Sequence, residues 1–200
     1  WILTKPKNMF LIRIIILFLI CNLTIYSQVN TEAYRNDGIK KGFKSRFDLL
    51  LGLNAGNSEY LSGEGKLRVD YVADEFRTFL TGEIAYKKGN QEVISNKGFL
   101  HGRLIYTNNQ SLQPELFLQK EYNEFVLLLD RNLAGLGLRY ALSNTDFVVD
   151  SSVGIKAYLG VGAMYEMEKI NTQPKFTTEI IRSTNYLTIA WKPTEKFLLN

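Results

Sequence analysis

His101 is the sole histidine of the 200-residue chain, and a histidine is the residue that would take a proton from a serine nucleophile. In a lipid-modifying enzyme of the membrane surface, that base works at the lipid-facing side. Here Leu100, Gly102 and Leu104 alternate with His101 and Arg103, which puts His101 on the charged face near mid-strand. Gly102-Arg103 beside it also lacks the nearby Ser-Asn of the phospholipase pattern. His101 therefore reads as a packed interior residue, and no enzymatic activity is expected. Gly135-Leu136-Gly137 and Gly160-Val161-Gly162 tempt a phosphate-loop reading, but neither opens a helix, so the required geometry is missing. Such glycines fit better as relief for bulky neighbours or as points of strand curvature. Asp74-Glu75 and Glu166/Glu168 lack the dense run of oxygen ligands of a calcium loop. They read as solvated rim charges or as groups associated with lipopolysaccharide. Cys21 follows Ile20, where lipid attachment would require a small residue. No catalytic, cofactor or metal site is expected.

The elements that carry these residues are strands. Helical periodicity nearly vanishes after residue 43, and period-two alternation replaces it. In Leu61–Tyr71 one face holds Leu61, Leu67, Val69 and Tyr71, and the other holds Glu64, Lys66, Arg68 and Asp70. A soluble sandwich would turn the charges to water; a membrane barrel turns the apolar row to lipid and the charges to a wet lumen. The pattern recurs seven more times, through Phe47–Leu53, Leu80–Tyr86, Leu100–Tyr106, Leu112–Tyr122, Ala134–Tyr140, Val153–Tyr165 and Leu187–Trp191. The expected lumen set is Glu64, Lys66, Arg68, Asp70, Glu83, Lys97, His101, Arg103, Glu115, Glu121, Arg131, Arg139 and Lys156. Its signs nearly balance, which favours a small barrel filled by paired side chains over charged rings that select a solute.

Residues 1–27 read as upstream sequence and a secretory signal that starts at Met9: Arg13, an apolar run from Ile14 to Ile20, then Ser27 before Gln28. The run is too short to span a membrane as a helix. Removing Lys5, Lys7 and Arg13 leaves 21 basic against 20 acidic side chains, a net of +1. No basic field remains to recruit nucleic acid. The only cysteine is removed as well, so the exported part has neither disulfide nor thiol. Residues 28–42 then read as a periplasmic linker and 43–200 as the barrel. The first eight residues and the abrupt stop after Lys196–Asn200, the start of a ninth strand, read as marks of a fragment whose C-terminal strands are missing.

Aromatic residues mark two rims. Tyr71, Tyr106, Tyr140 and Trp191 end the even strands; Tyr86, Tyr122 and Tyr165 end the odd ones. Tyr and Trp favour the membrane interface because the ring is apolar while the hydroxyl or indole N–H stays wet. Connections after even strands read as short, including Thr107–Ser111 and Ser143–Asp146. Those after strands three, five and seven read as longer: Lys87–Asn96, Asn123–Asp130 and about Met167–Ile180. Short periplasmic turns and longer outer loops are the habit of bacterial barrels. The short turn between strands four and five predicts Arg103 opposite Glu115, His101 opposite Phe117 and Lys97 opposite Glu121.

Asp130-Arg131-Asn132-Leu133-Ala134-Gly135-Leu136-Gly137-Leu138-Arg139-Tyr140 and Leu159-Gly160-Val161-Gly162-Ala163-Met164-Tyr165-Glu166 resemble the salt-induced outer-membrane protein family (YdiY-like), catalogued as a domain of unknown function. Leu51–Ser58 is similar to its first hairpin, and the resemblance spans roughly residues 43–192. It implies an outer-membrane barrel and supplies no catalytic or ligand residues. The Ser27-Gln28 junction and the richness in Asn, Ile and Lys suggest a Bacteroidetes-type member.

The expectation is thus an all-β, up-and-down antiparallel transmembrane β-barrel of the bacterial outer membrane, with eight strands and the start of a ninth. Its role is structural or tied to envelope stress, with ion or small-solute transport as the alternative and lipid modification as a second. Its partners are outer-membrane lipid, lipopolysaccharide and, during insertion, the barrel-assembly machinery.

Overall fold

The computed structural model describes residues 34–35, 40–56, 59–90, 92–107, 111–142, 154–194 and 197–199. The expected signal, residues 1–27, lies outside them. Nine strands follow one another: β1 Gly42–Asn54, β2 Tyr60–Val72, β3 Phe76–Gly89, β4 Glu92–Tyr106, β5 Leu112–Asn123, β6 Leu128–Ala141, β7 Gly154–Ile170, β8 Phe176–Thr194 and β9 Phe197–Leu199. They form one sheet in chain order, every neighbouring pair antiparallel. This is an all-β up-and-down meander. Among the described residues β1 and β9 are its two edges.

The alternation assigns the two faces. Along β5, Leu112, Leu116, Leu118 and Tyr122 are exposed, while Glu115, Phe117, Gln119 and Glu121 are buried. The inner face is concave. Tyr186 on β8 donates its hydroxyl proton to Glu115 Oε1 on β5 at 2.8 Å, although three strand spacings on a flat sheet would separate them by ~14 Å. A packed apolar patch on that face joins Phe117, Leu133 and Met164.

Two glycines make the inner packing possible. A Cβ on Gly135 would run into the Phe117 ring opposite it, and one on Gly160 into the Tyr186 ring. The bare backbone there gives each ring a flat seat, and a strand glycine commonly marks such a close approach.

The connections depart from expectation. β3 and β4 are joined through only Asn90 and Gln91, with Asn90 at φ 49°. Lys87, Lys88 and Glu92 lie inside strands rather than in a long loop, with a bulge between Lys87 and Lys88. A three-residue 3-10 turn, Glu124–Val126, closed by Leu127 at φ 59°, joins β5 to β6. Five residues, 171–175, join β7 to β8. The short turn expected at Ser143–Asp146 lies outside the described residues. Among the described residues the connections expected to be long are no longer than those expected to be short. Backbone pairing extends strands as far as partners exist, and polar side chains at a wet strand end do not stop it, so polarity alone misplaces the strand ends.

The charged inner face as candidate functional site

Most of the expected lumen residues meet on the concave face, in three groups. In the first, Arg68 clasps Asp70 on its own strand, Nε to Oδ2 at 2.7 Å and Nη2 to Oδ1 at 2.6 Å. Its guanidinium also lies 5.1 Å from the centroid of the Phe79 ring. Lys66 reaches Glu83 at 3.7 Å from the facing position of β3. Lys66, Glu64 and Lys97 are exposed.

The second group surrounds His101, which is fully buried. Its ring stacks between those of Phe99 and Phe117, with centroids at 6.2 and 5.9 Å, and Phe79 tilts against it at 5.8 Å. Nδ1 lies 3.1 Å from Gln119 Oε1. Next to this layer Arg103 reaches Glu115 at 3.5 Å and covers the Phe117 ring at 5.3 Å. A histidine so enclosed presents no edge to a substrate arriving from lipid or water.

The third group gathers carboxylates around two arginines. Arg131 pairs with Glu121, donates from Nε to Glu168 at 2.8 Å, and lies 3.4 Å from Glu166. Arg182 Nε meets Glu166 Oε2 at 2.6 Å. Arg139 donates to Gln113 at 3.3 Å and sits 3.6 Å over the Tyr158 ring. Buried charges persist when paired and hydrogen-bonded, and these are shared among several partners. The side chains of Lys156 and Trp191 lie outside the described residues.

Four corrections follow. Glu166 and Glu168 are held inside by Arg131 and Arg182, not at the rim, because β7 continues to Ile170 and keeps them in the inward register. The β4–β5 ladder sets Arg103 opposite Phe117, His101 opposite Gln119 and Lys97 opposite Asn123, two residues from the expected register. The faces are kept, and Arg103 still reaches Glu115 diagonally. Pairing ends at Ile105 with Glu115, next to Pro114, which has no N–H to donate, and a cross-strand ion pair of about 0.2–1 kcal/mol is too weak to hold the expected register. Lys120 stands outward between Leu118 and Tyr122, bridged to Asp130 at 3.2 Å, so the outer row is not wholly apolar. Finally, Tyr34 and Arg35, in the stretch expected as a linker, contact the inner face.

Arg182 and Tyr186 were legible in the sequence, since they alternate with Ile181 and Leu187 in β8. Arg35 was not; it precedes the alternating region and carries no periodic signal. Tyr71, Tyr106 and Tyr140 stand exposed at one end of their strands, and Tyr86 and Tyr122 near the other; Tyr165 is exposed as well but lies five residues short of the end of β7, where it was expected at the rim. Tyr165 donates to Glu179 at 2.8 Å on the outer face. Among the described residues no three His, Cys, Asp or Glu side chains converge in a way that would hold a metal ion.

A family described as "Protein of unknown function, DUF481" matches residues 49–199. The chain belongs to that family. No curated protein and no solved structure matches it. The DUF481 match takes in strands β2 to β8, and with them nearly all of the charged inner face.

Proposed function

We propose that this DUF481 chain is a bacterial outer-membrane β-barrel whose sheet closes around a narrow, charge-filled interior, and that its role is structural or part of the response to envelope stress. One observation carries the reading: the sheet is apolar on its exposed face and ionic on its buried one. Leu118 is 63% exposed while Arg103, on the neighbouring strand, is 5% exposed. Contiguous exposed apolar surface on this scale is unfavourable in water and is the normal exterior of a strand in lipid. The tyrosines at both strand ends fit the two interfaces of a bilayer, and the likeness to salt-induced outer-membrane proteins points the same way. Outside, the partners are lipid and lipopolysaccharide; during insertion, the barrel-assembly machinery.

The test is refolding of the full chain into phosphatidylethanolamine–phosphatidylglycerol vesicles. Protection of the strands from added protease, with a heat-dependent gel mobility, is the expected result. A monomer that stays folded and soluble without detergent or lipid would overturn the reading. Passage of ions or small solutes is a second reading, favoured by the side of the inner face where Glu64 and Lys66 are exposed and Glu83 is half-buried. Conductance across a planar bilayer separates the two.

A further inference from the structure

We propose that Tyr34–Arg35 is a built-in stopper that keeps the inside of the barrel closed to ions and small hydrophilic solutes. It rests on the barrel reading and goes beyond it, naming what fills the interior. The two residues precede β1 and take no part in the sheet ladder. Yet the Arg35 side chain is 4% exposed, as deeply placed as the 3% of Glu115 beside it. Arg35 Nη2 pairs with Glu115 of β5 and lies 3.4 Å from the Tyr186 hydroxyl of β8. The Tyr34 carbonyl accepts from Arg68 Nη1 of β2 at 2.5 Å. Its ring stacks on Phe99 of β4 at 5.6 Å. Two consecutive residues thus bind side chains from four strands across the concavity.

The Tyr34 ring adds a further layer to the stack that runs through Phe99, His101 and Phe117. Burial, reinforced by the Glu83 carboxylate, pushes the Tyr34 phenol above its ordinary value, so the group stays neutral. Small barrels fill their interior with side chains, and the ring stack together with the Arg35–Glu115 latch sets such side chains across this one. The latch is also releasable. Glu115 keeps Arg103 at 3.5 Å and the Tyr186 proton when Arg35 leaves, so withdrawal does not strand a buried carboxylate, the costly outcome for a broken interior pair. An arginine that was the sole counter-charge could not leave so cheaply.

Thr81 is buried on the inner face, with Arg68 and His101 opposite it on the adjoining strands. The test places Thr81→Cys in a Cys21→Ser chain and follows labelling by a small charged methanethiosulfonate in detergent micelles. The double variant Tyr34→Ala/Arg35→Ala should label faster by about tenfold or more, since burial limits reagent access, while Arg35→Lys stays near the parent rate. Equal rates in the parent and a double variant that retains its β-sheet circular dichroism would overturn the stopper. Should the double variant fail to fold, Tyr34→Cys/Phe99→Cys in the Cys21→Ser chain replaces it. The pair should form a disulfide under mild oxidation, and ion current in a planar bilayer should appear only after reduction. Absence of the disulfide, or current unaffected by reduction, would sink the proposal. Failure to enter vesicles would overturn only the membrane reading, because labelling and disulfide formation are read in micelles.

Discussion

β1 and β5 carry the same period-two pattern, and the structure treats them differently. Along β5 every second side chain from Glu115 to Glu121 is buried. Along β1 only Gly52 escapes full exposure, and Leu50, inward by register, is as open as the outward Leu49 and Leu51. Arg46 on β1 bonds Asp48 two residues along its own strand, in the open, at 2.8 Å. The inward side chains of β5 instead reach Arg35, Arg103, Arg131 and Tyr186, contributed by other segments of the chain. Alternation decides which face a residue is on. Burial depends on whether other strands bring partners across the concavity, and β5 has them where β1 does not.

The largest effect should separate the two regions by charge. Arg131→Ala leaves Glu121, Glu166 and Glu168 without their shared cation and should cost about 3 kcal/mol, as removing one partner of a buried pair does. Arg46→Ala in the open pair should leave the midpoint almost unmoved, because solvent screens an exposed ion pair. Urea unfolding midpoints in detergent measure both, and equal losses would break the comparison.

A change of face comes next. Leu116→Arg puts a cation on the outer row of β5 and should impair insertion by about 2–4 kcal/mol if that row meets lipid. Leu50→Arg on the inward register of β1 should insert normally. Folding yield in vesicles, scored by protease protection, reads the difference.

Smaller still are the packing tests. Gly135→Ala drives a methyl into the Phe117 ring and should cost roughly 1–3 kcal/mol as overpacking. On β2, Gly63→Ala meets only Leu51 Cδ2 at 3.6 Å and should be near neutral. Thermal midpoints decide it. The smallest effect is expected from His101→Phe. It keeps the ring stack and removes one hydrogen bond to Gln119, a loss of about 1 kcal/mol in the same assay. A much larger loss would mean that His101 does more than pack.

The alternation alone determined the class and the two faces, because side chains of a strand point to opposite sides at every residue. It also singled out His101, Arg103, Glu115, Glu121, Arg131 and Arg139 as one inward set. What it could not determine was anything that keeps parity. A two-residue slip between β4 and β5 leaves every face unchanged, so parity could not choose between the two registers, and a cross-strand ion pair is too weak to do so. Strand ends were likewise out of reach, since pairing ran on to Gly89 and Ile170 with partners that local polarity does not announce. Arg35 lay furthest from view. Its place against Glu115 and Tyr186 exists only once β5 and β8 curl toward each other, and a contact made by curvature between segments 80 and 151 residues apart leaves no local trace in the chain.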